Sequence, residues 1–317
     1  MLTDIILLLL GFGLLIIGAN WLVDGSSALA RKFRVSDLAI GLTVVAFGTS
    51  APELVVNLFA AAQGHHDIVF GNILGSNNFN IFVILGIAGL ITPLAVKSST
   101  VWKEIPISLG ALLILFLMAN DFILKGSNVV SRIDGILLLV CLVAFLYYVF
   151  RQLRTEGEEH HEHKHISVPV MTGLILFGLA GLIAGGRLVV VNAVDLAQDM
   201  GVSEKIIALT IVAAGTSLPE LVTSVIAGIK KNNDIAIGNI IGSNIFNIFF
   251  ILGISAAIRP QEFDPSFNSD ILMVALGTIF LFLAMFLGKR HKLDRWEAGV
   301  LLIIYIGYTL LLIKGEA

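Results

Sequence analysis

GTSAPE, Gly48 to Glu53, and GTSLPE, Gly215 to Glu220, are one phrase written twice, each inside an apolar run. A glutamate in such a run needs a reason, because an ionised carboxylate at bilayer depth costs at least ~2.5 kcal/mol on insertion scales. Proline lacks an N–H and pushes its predecessor away from helical geometry, while glycine permits backbone conformations that a helix does not use. The phrase therefore predicts a helix that breaks near Gly48–Ser50 and restarts around Pro52, releasing the carbonyls of Ala46 and Thr49 toward a cation. Such a break is tolerated in hydrocarbon only where protein or a hydrated cavity satisfies the freed groups. The plainer reading of Ser50-x-x-Glu53 is a capping box for the restarting helix. A serine or threonine alone would cap as well at lower cost, so the twin glutamates read as ligands.

The two phrases lie 167 positions apart. At that offset Ile40–Ile87 overlays Ile207–Ile254 without a gap, and more than half the positions are identical. The matched polar residues include Thr49/Thr216, Ser50/Ser217, Glu53/Glu220, Asn72/Asn239, Ser76/Ser243 and Asn80/Asn247. A second element follows each phrase: GNILGSNNFN, Gly71 to Asn80, and GNIIGSNIFN, Gly238 to Asn247. Asn72, Ser76 and Asn80 recur every fourth residue and share one helical face. Gly71 and Gly75 form a GxxxG pair suited to close helix approach. Such a stripe could equally serve packing, with its polar groups bonded to a neighbouring helix. Beside the glutamate motif it reads as part of the same site. The inventory is all oxygen, with no histidine, cysteine or methionine, which suits a hard cation such as calcium. Two carboxylates balance one divalent ion, two monovalent ions, or one ion and a proton, so competing loads exclude one another.

Of 317 residues 57% are apolar and only 14% charged, against about 25% charged in soluble domains. Stretches near the ~20 residues needed to cross a bilayer as a helix recur throughout. Ten spans are expected, at 4–30, 37–62, 68–92, 103–119, 132–153, 168–190, 203–229, 235–258, 269–287 and 294–313. Spans one and six are long enough to tilt, or to bend near Gly25 and Gly186. The fold class is thus an all-α membrane protein of ten transmembrane helices, in two five-helix repeats with broken helices at the midplane. Five is odd, so the second repeat enters from the opposite side and the repeats are inverted, as in many secondary transporters. The expected units are 1–153, a His/Glu-rich linker at 154–167, and 168–317.

Fourteen of the 20 lysines and arginines fall on one set of loops, among them Arg31, Lys32, Lys97, Arg151, Lys230, Lys231, Lys292 and Arg295. The positive-inside rule makes that face cytoplasmic, with both termini outside and the central loop in the cytoplasm of a cell with this protein in its inner membrane. Trp21, Trp102 and Trp296 read as interfacial anchors. The first apolar stretch has no basic n-region and reads as a retained helix rather than a signal peptide. Cys141 is the only cysteine, so no intrachain disulfide forms. A net charge of −3 gives no reason to expect a nucleic-acid partner.

Together the paired GTSxPE and GSNxFN signatures resemble the alpha-repeats of the sodium/calcium exchangers, within the calcium/cation antiporter superfamily, and the five-plus-five plan covers essentially the whole chain. The resemblance implies an electrogenic exchange of several sodium ions for each calcium by alternating access, with the long first and sixth helices sliding across the core. It implies metal ligands at Glu53 and Glu220. It also implies hydroxyl and carbonyl oxygens from Thr49, Ser50, Thr216 and Ser217, the Ala46 and Ala213 carbonyls, and contributions from Ser76, Asn80, Ser243 and Asn247. No cofactor is implied beyond the transported calcium and sodium ions, and no obligatory protein partner beyond membrane lipid. Potassium-dependent members carry aspartate at the position of Asn247, which argues against potassium coupling. The proton-coupled branch has GNxxE in place of GTSxPE. The short central loop leaves no room for the calcium-sensing domain of large animal exchangers.

That loop, EGEEHHEHKH from Glu156 to His165, holds four of the seven histidines. It could bind zinc or nickel weakly, or be a hydrated linker, and it keeps a proton- or potassium-coupled or transition-metal antiporter as the alternative. A cation channel is a rival of another class, separated by whether flux depends on a counter-ion. A membrane-embedded enzyme finds little support, because Ser50 and Ser217 have no histidine or lysine at suitable depth to activate them.

Overall fold

The computed structural model describes residues 2–33, 35–120, 128–153, 167–199, 213–287 and 291–316. The histidine-rich loop and residues 203–212 of the seventh expected span lie outside them. Within them every expected span is helical: α1 Leu2–Phe33, a bent pair α2 Asp37–Thr49 and α3 Ala51–Gln63, α4 His66–Ile91, α5 Thr100–Ala119, α6 Arg132–Leu153 and α7 Val168–Asp199. The second half continues with α8 Ala213–Gly215, α9 Leu218–Ile229, α10 Asn233–Ile258, α11 Asn268–Ala284 and α12 Arg295–Glu316. Among the described residues seven helices are long and apolar enough to cross a membrane, or eight if α2 and α3 count as one span. The only strands described are two-residue pairs, Leu94–Ala95 with Lys292–Leu293 and Val129–Val130 with Gln261–Glu262. Each clips a loop of one repeat to a loop of the other.

Burial sorts the helices into layers. In their most apolar windows α4 and α10 are 83% and 94% buried, against 28% for α1 and α6 and 33% for α7. The two helices carrying the polar stripes are therefore the centre of the molecule. Both contain a π-helical segment, Phe79–Ile84 and Asn247–Leu252; such segments recur at functional sites because the extra residue rotates everything beyond it. Trp21, Trp102 and Trp296 are all exposed, as interfacial anchors require.

Helix α1 packs on α7, its match in the other repeat, through glycines. A β-carbon on Gly18 would stand 2.7 Å from the Gly178 carbonyl oxygen, and one on Gly185 would stand 2.7 Å from that of Gly11. Gly11 faces Gly185 and Gly18 faces Gly178, so the numbers run in opposite senses and the helices are antiparallel. Matched helices that run against one another are what inversion of the repeats means. Both α1 and α7 are continuous, with helix running unbroken through Gly25 and Gly186. At 32 residues each they extend about 48 Å, well beyond the ~30 Å hydrocarbon core.

Candidate functional site

The break that the first phrase predicts is present. Helices α2 and α3 meet at Ser50 with a bend of 50°, halfway along the span. Ser50 has φ/ψ of −80/9°, and Ser217 repeats it at −88/8°; this sparsely populated bridge region is common at functional sites. Helix restarts at Ala51 and at Leu218, with the proline in the first turn where its missing N–H costs nothing.

Two details of the expectation need correction. Gly48 lies inside helix, and among the described glycines only Gly64 has positive φ. Gly48 and Gly215 serve close packing instead: a β-carbon there would come 2.4 Å from Leu179 Cδ2 and 2.3 Å from Val190 Cγ2, both on α7. The Ala46 carbonyl is not released either. It accepts the Ser50 N–H at 3.0 Å and lies 3.4 Å from Thr49 Oγ1. The break falls after Ser50, so the last helical bond before it survives. The carbonyl that loses its usual donor is that of Gly48, because Pro52 has no N–H to offer. The carbonyl of Thr49 accepts no backbone amide among the described residues.

Nor is the capping box formed. Ser50 Oγ donates to Glu220 Oε1 at 2.9 Å, and Ser217 Oγ donates to Glu53 Oε1 at 3.0 Å. Each serine serves the glutamate of the other repeat. The same hydroxyls lie 3.1 Å from Ser243 and Ser76, each of which is 3.5 Å from the glutamate of its own repeat. Thr49 donates to Asn239 at 3.0 Å and Thr216 to Asn72 at 3.4 Å. Each of these bonds has a twin displaced by 167 in both partners. The pseudo-two-fold therefore passes through this cluster.

Glu53, Glu220, Ser50, Ser217, Ser76, Ser243, Thr49, Asn80 and Asn247 are all 3% exposed or less. One oxygen on each of Glu53, Glu220, Asn80 and Asn247 is buried with no partner: Oε2 of the acids and Oδ1 of the amides. Among the described residues no lysine or arginine pairs with either carboxylate, and no three His, Cys, Asp or Glu side chains come together. Two buried acids lined by hydroxyl and amide oxygens can hold a cation that the protein does not itself supply. Of the expected residues the hydrogen bonds bring together Thr49, Ser50, Glu53, Ser76 and their partners Thr216, Ser217, Glu220 and Ser243, while Asn80 and Asn247 bond to Asn244 and Asn77. Ala213 begins the described part of its span.

Sequence reasoning missed three contributors. Asn77 and Asn244 bond to the stripe amides at 2.9 Å, yet each sits one residue off the four-residue period. Asn57, fully buried on α3, donates to the Glu53 carbonyl at 2.8 Å. Its position one turn beyond Glu53 on the same face was the available signal.

A family model described as sodium/calcium exchanger protein matches residues 3–151 and 170–314, one segment for each half. The inner membrane protein YrbG of Escherichia coli is 38% identical over 95% of this chain and 94% of its own length. The sodium/calcium exchanger MaX1 of Methanosarcina acetivorans is 29% identical over 98% of both. A solved structure of the sodium-calcium exchanger NCX_Mj, soaked with sodium and calcium, superposes with a TM-score of 0.80 at 31% identity, covering 96% of each chain. With both halves matched and the twin glutamate phrases meeting at the centre, the chain belongs to the sodium/calcium exchanger family.

Proposed function

We propose that this protein is a secondary antiporter that exchanges sodium for calcium by alternating access. The observation that carries the reading is the pair of buried carboxylates, Glu53 and Glu220, each bonded by a serine of the opposite repeat and neither paired with a basic side chain among the described residues. A cation entering between them supplies the missing charge. One calcium, or sodium ions in its place, satisfies the same oxygens, and the two loads compete. The ligands in this reading are Thr49, Ser50, Glu53, Ser76, Asn80, Thr216, Ser217, Glu220, Ser243 and Asn247, with carbonyl oxygens from the two broken helices. The transported ions are the only metals involved, and no cofactor takes part. The lysine-rich face is cytoplasmic and both termini lie outside, in the cell's inner membrane.

The test is calcium uptake into sodium-loaded liposomes diluted into sodium-free buffer. Uptake that requires the outward sodium gradient supports the reading. Uptake driven by a pH gradient and indifferent to internal sodium would make it a proton antiporter. Calcium flux without any counter-ion would make it a channel.

A further inference from the structure

Four asparagines at the centre of the molecule form a closed, directional network. Asn77 Nδ2 faces the Asn244 backbone carbonyl at 3.4 Å, and Asn244 Nδ2 faces the Asn77 carbonyl at 3.5 Å. A backbone carbonyl can only accept, so these contacts fix which end of each amide is nitrogen. Asn77 Oδ1 must then point the other way, where it accepts from Asn247 Nδ2 at 2.9 Å; Asn244 Oδ1 likewise accepts from Asn80 Nδ2 at 2.9 Å. With their NH2 groups committed, Asn247 and Asn80 have only Oδ1 left over, and in both it is buried and unpartnered. All four residues are 2% exposed or less, so bulk water does not compete for these bonds.

We propose that Asn77 and Asn244 are positioning residues that turn the oxygens of Asn247 and Asn80 toward the cation and their NH2 groups away from it. The linkage crosses the repeats: each asparagine sets the ligand of the other half. The inference rests on the reading of Glu53 and Glu220 as cation ligands and names what orients the neutral part of that site. An amide that has lost its anchor can rotate by half a turn and present N–H donors to a cation. A carboxylate has no such wrong face.

That difference supplies the test. Calcium binding is measured on purified, detergent-solubilised protein for the wild type, Asn77→Leu, Asn247→Asp and the double variant. Loss of one orienting hydrogen bond should weaken calcium binding about tenfold in Asn77→Leu. In the Asn247→Asp background the same substitution should not weaken binding, since no amide remains to be oriented and Asn77 Oδ1 has no donor there to accept from. A packing role would weaken both backgrounds alike, and that result overturns the proposal, as does no effect in either. If Asn77→Leu does not fold, Asn244→Leu with and without Asn80→Asp asks the same question from the mirror position. Glu53→Gln is measured alongside: calcium binding that survives it unchanged would overturn the reading of the site itself, whatever the asparagines do.

Discussion

At the residue scale, the decisive contacts join a serine of one repeat to a glutamate of the other. A hydrogen bond to an ionised group contributes about 1.5–3 kcal/mol. Ser50→Ala and Ser217→Ala should each raise the calcium KM by roughly tenfold or more, measured by flux in liposomes, and the two effects should match within a few-fold because the bonds are twins at 2.9 and 3.0 Å. Unequal effects would place the load nearer one repeat. The members of the proposed site were legible in the sequence because the offset of 167 marks Glu53, Ser76 and Asn80 twice. Their pairing was not. Local reasoning joins Ser50 to Glu53, three residues away, whereas the structure joins Ser50 to Glu220 through a symmetry that spacing alone cannot express.

At the scale of elements, the glycines shared by α1 and α7 let two backbones touch over a long antiparallel seam. A β-carbon on Gly18 would meet the Gly178 carbonyl and the Leu182 amide at 2.7 and 2.8 Å, and backbone cannot step aside as a side-chain tip can. Gly18→Ala and Gly185→Ala should therefore destabilise the protein by about 1–3 kcal/mol, seen as a lower melting temperature in detergent. Gly110→Ala on α5, where a β-carbon meets nothing within 4 Å, should leave the melting temperature unchanged or raise it. Span positions were readable from hydropathy to within a few residues, since a bilayer sets helix length. The inner rank of α4 and α10 was readable from their polar stripes. The continuity of α1 and α7 was not: Gly25 and Gly186 look like hinges in sequence, but Gly25 lies tight against Leu174 and Ile175, and helix runs through both positions. The same lesson covers Gly48, whose smallness serves a neighbouring helix rather than its own backbone.

At the scale of the molecule, the pseudo-two-fold is obeyed at the centre and broken at the lysine-rich face. There Lys230 Nζ pairs with Asp24 Oδ1 at 2.7 Å and bonds the Asn20 carbonyl, while Asn232 donates to Ser27 at 2.9 Å and Asp37 at 3.0 Å. These contacts tie the end of α1 to the end of α9. The matched positions on the opposite face are Gln63 and Val191, which cannot form an ion pair. An alternating-access protein must open each face in turn, so an ion pair that the matched positions of the other face lack biases the equilibrium. A partly exposed ion pair contributes about 0–1 kcal/mol, and Lys230→Gln should therefore lower the calcium KM on the lysine-rich side by at most about fivefold. Flux measured from both sides of oriented vesicles checks this; a change confined to the other side would mean the ion pair does not act on access. The central claim is that both repeats build one shared cation site, and the most direct measurement is sodium-driven calcium exchange in liposomes for the wild type, Glu53→Gln and Glu220→Gln. The account predicts that each single substitution abolishes exchange, because either loss leaves one charge to hold a divalent ion. Substantial exchange remaining in one of the two variants would mean that one repeat carries calcium alone, and would contradict the account.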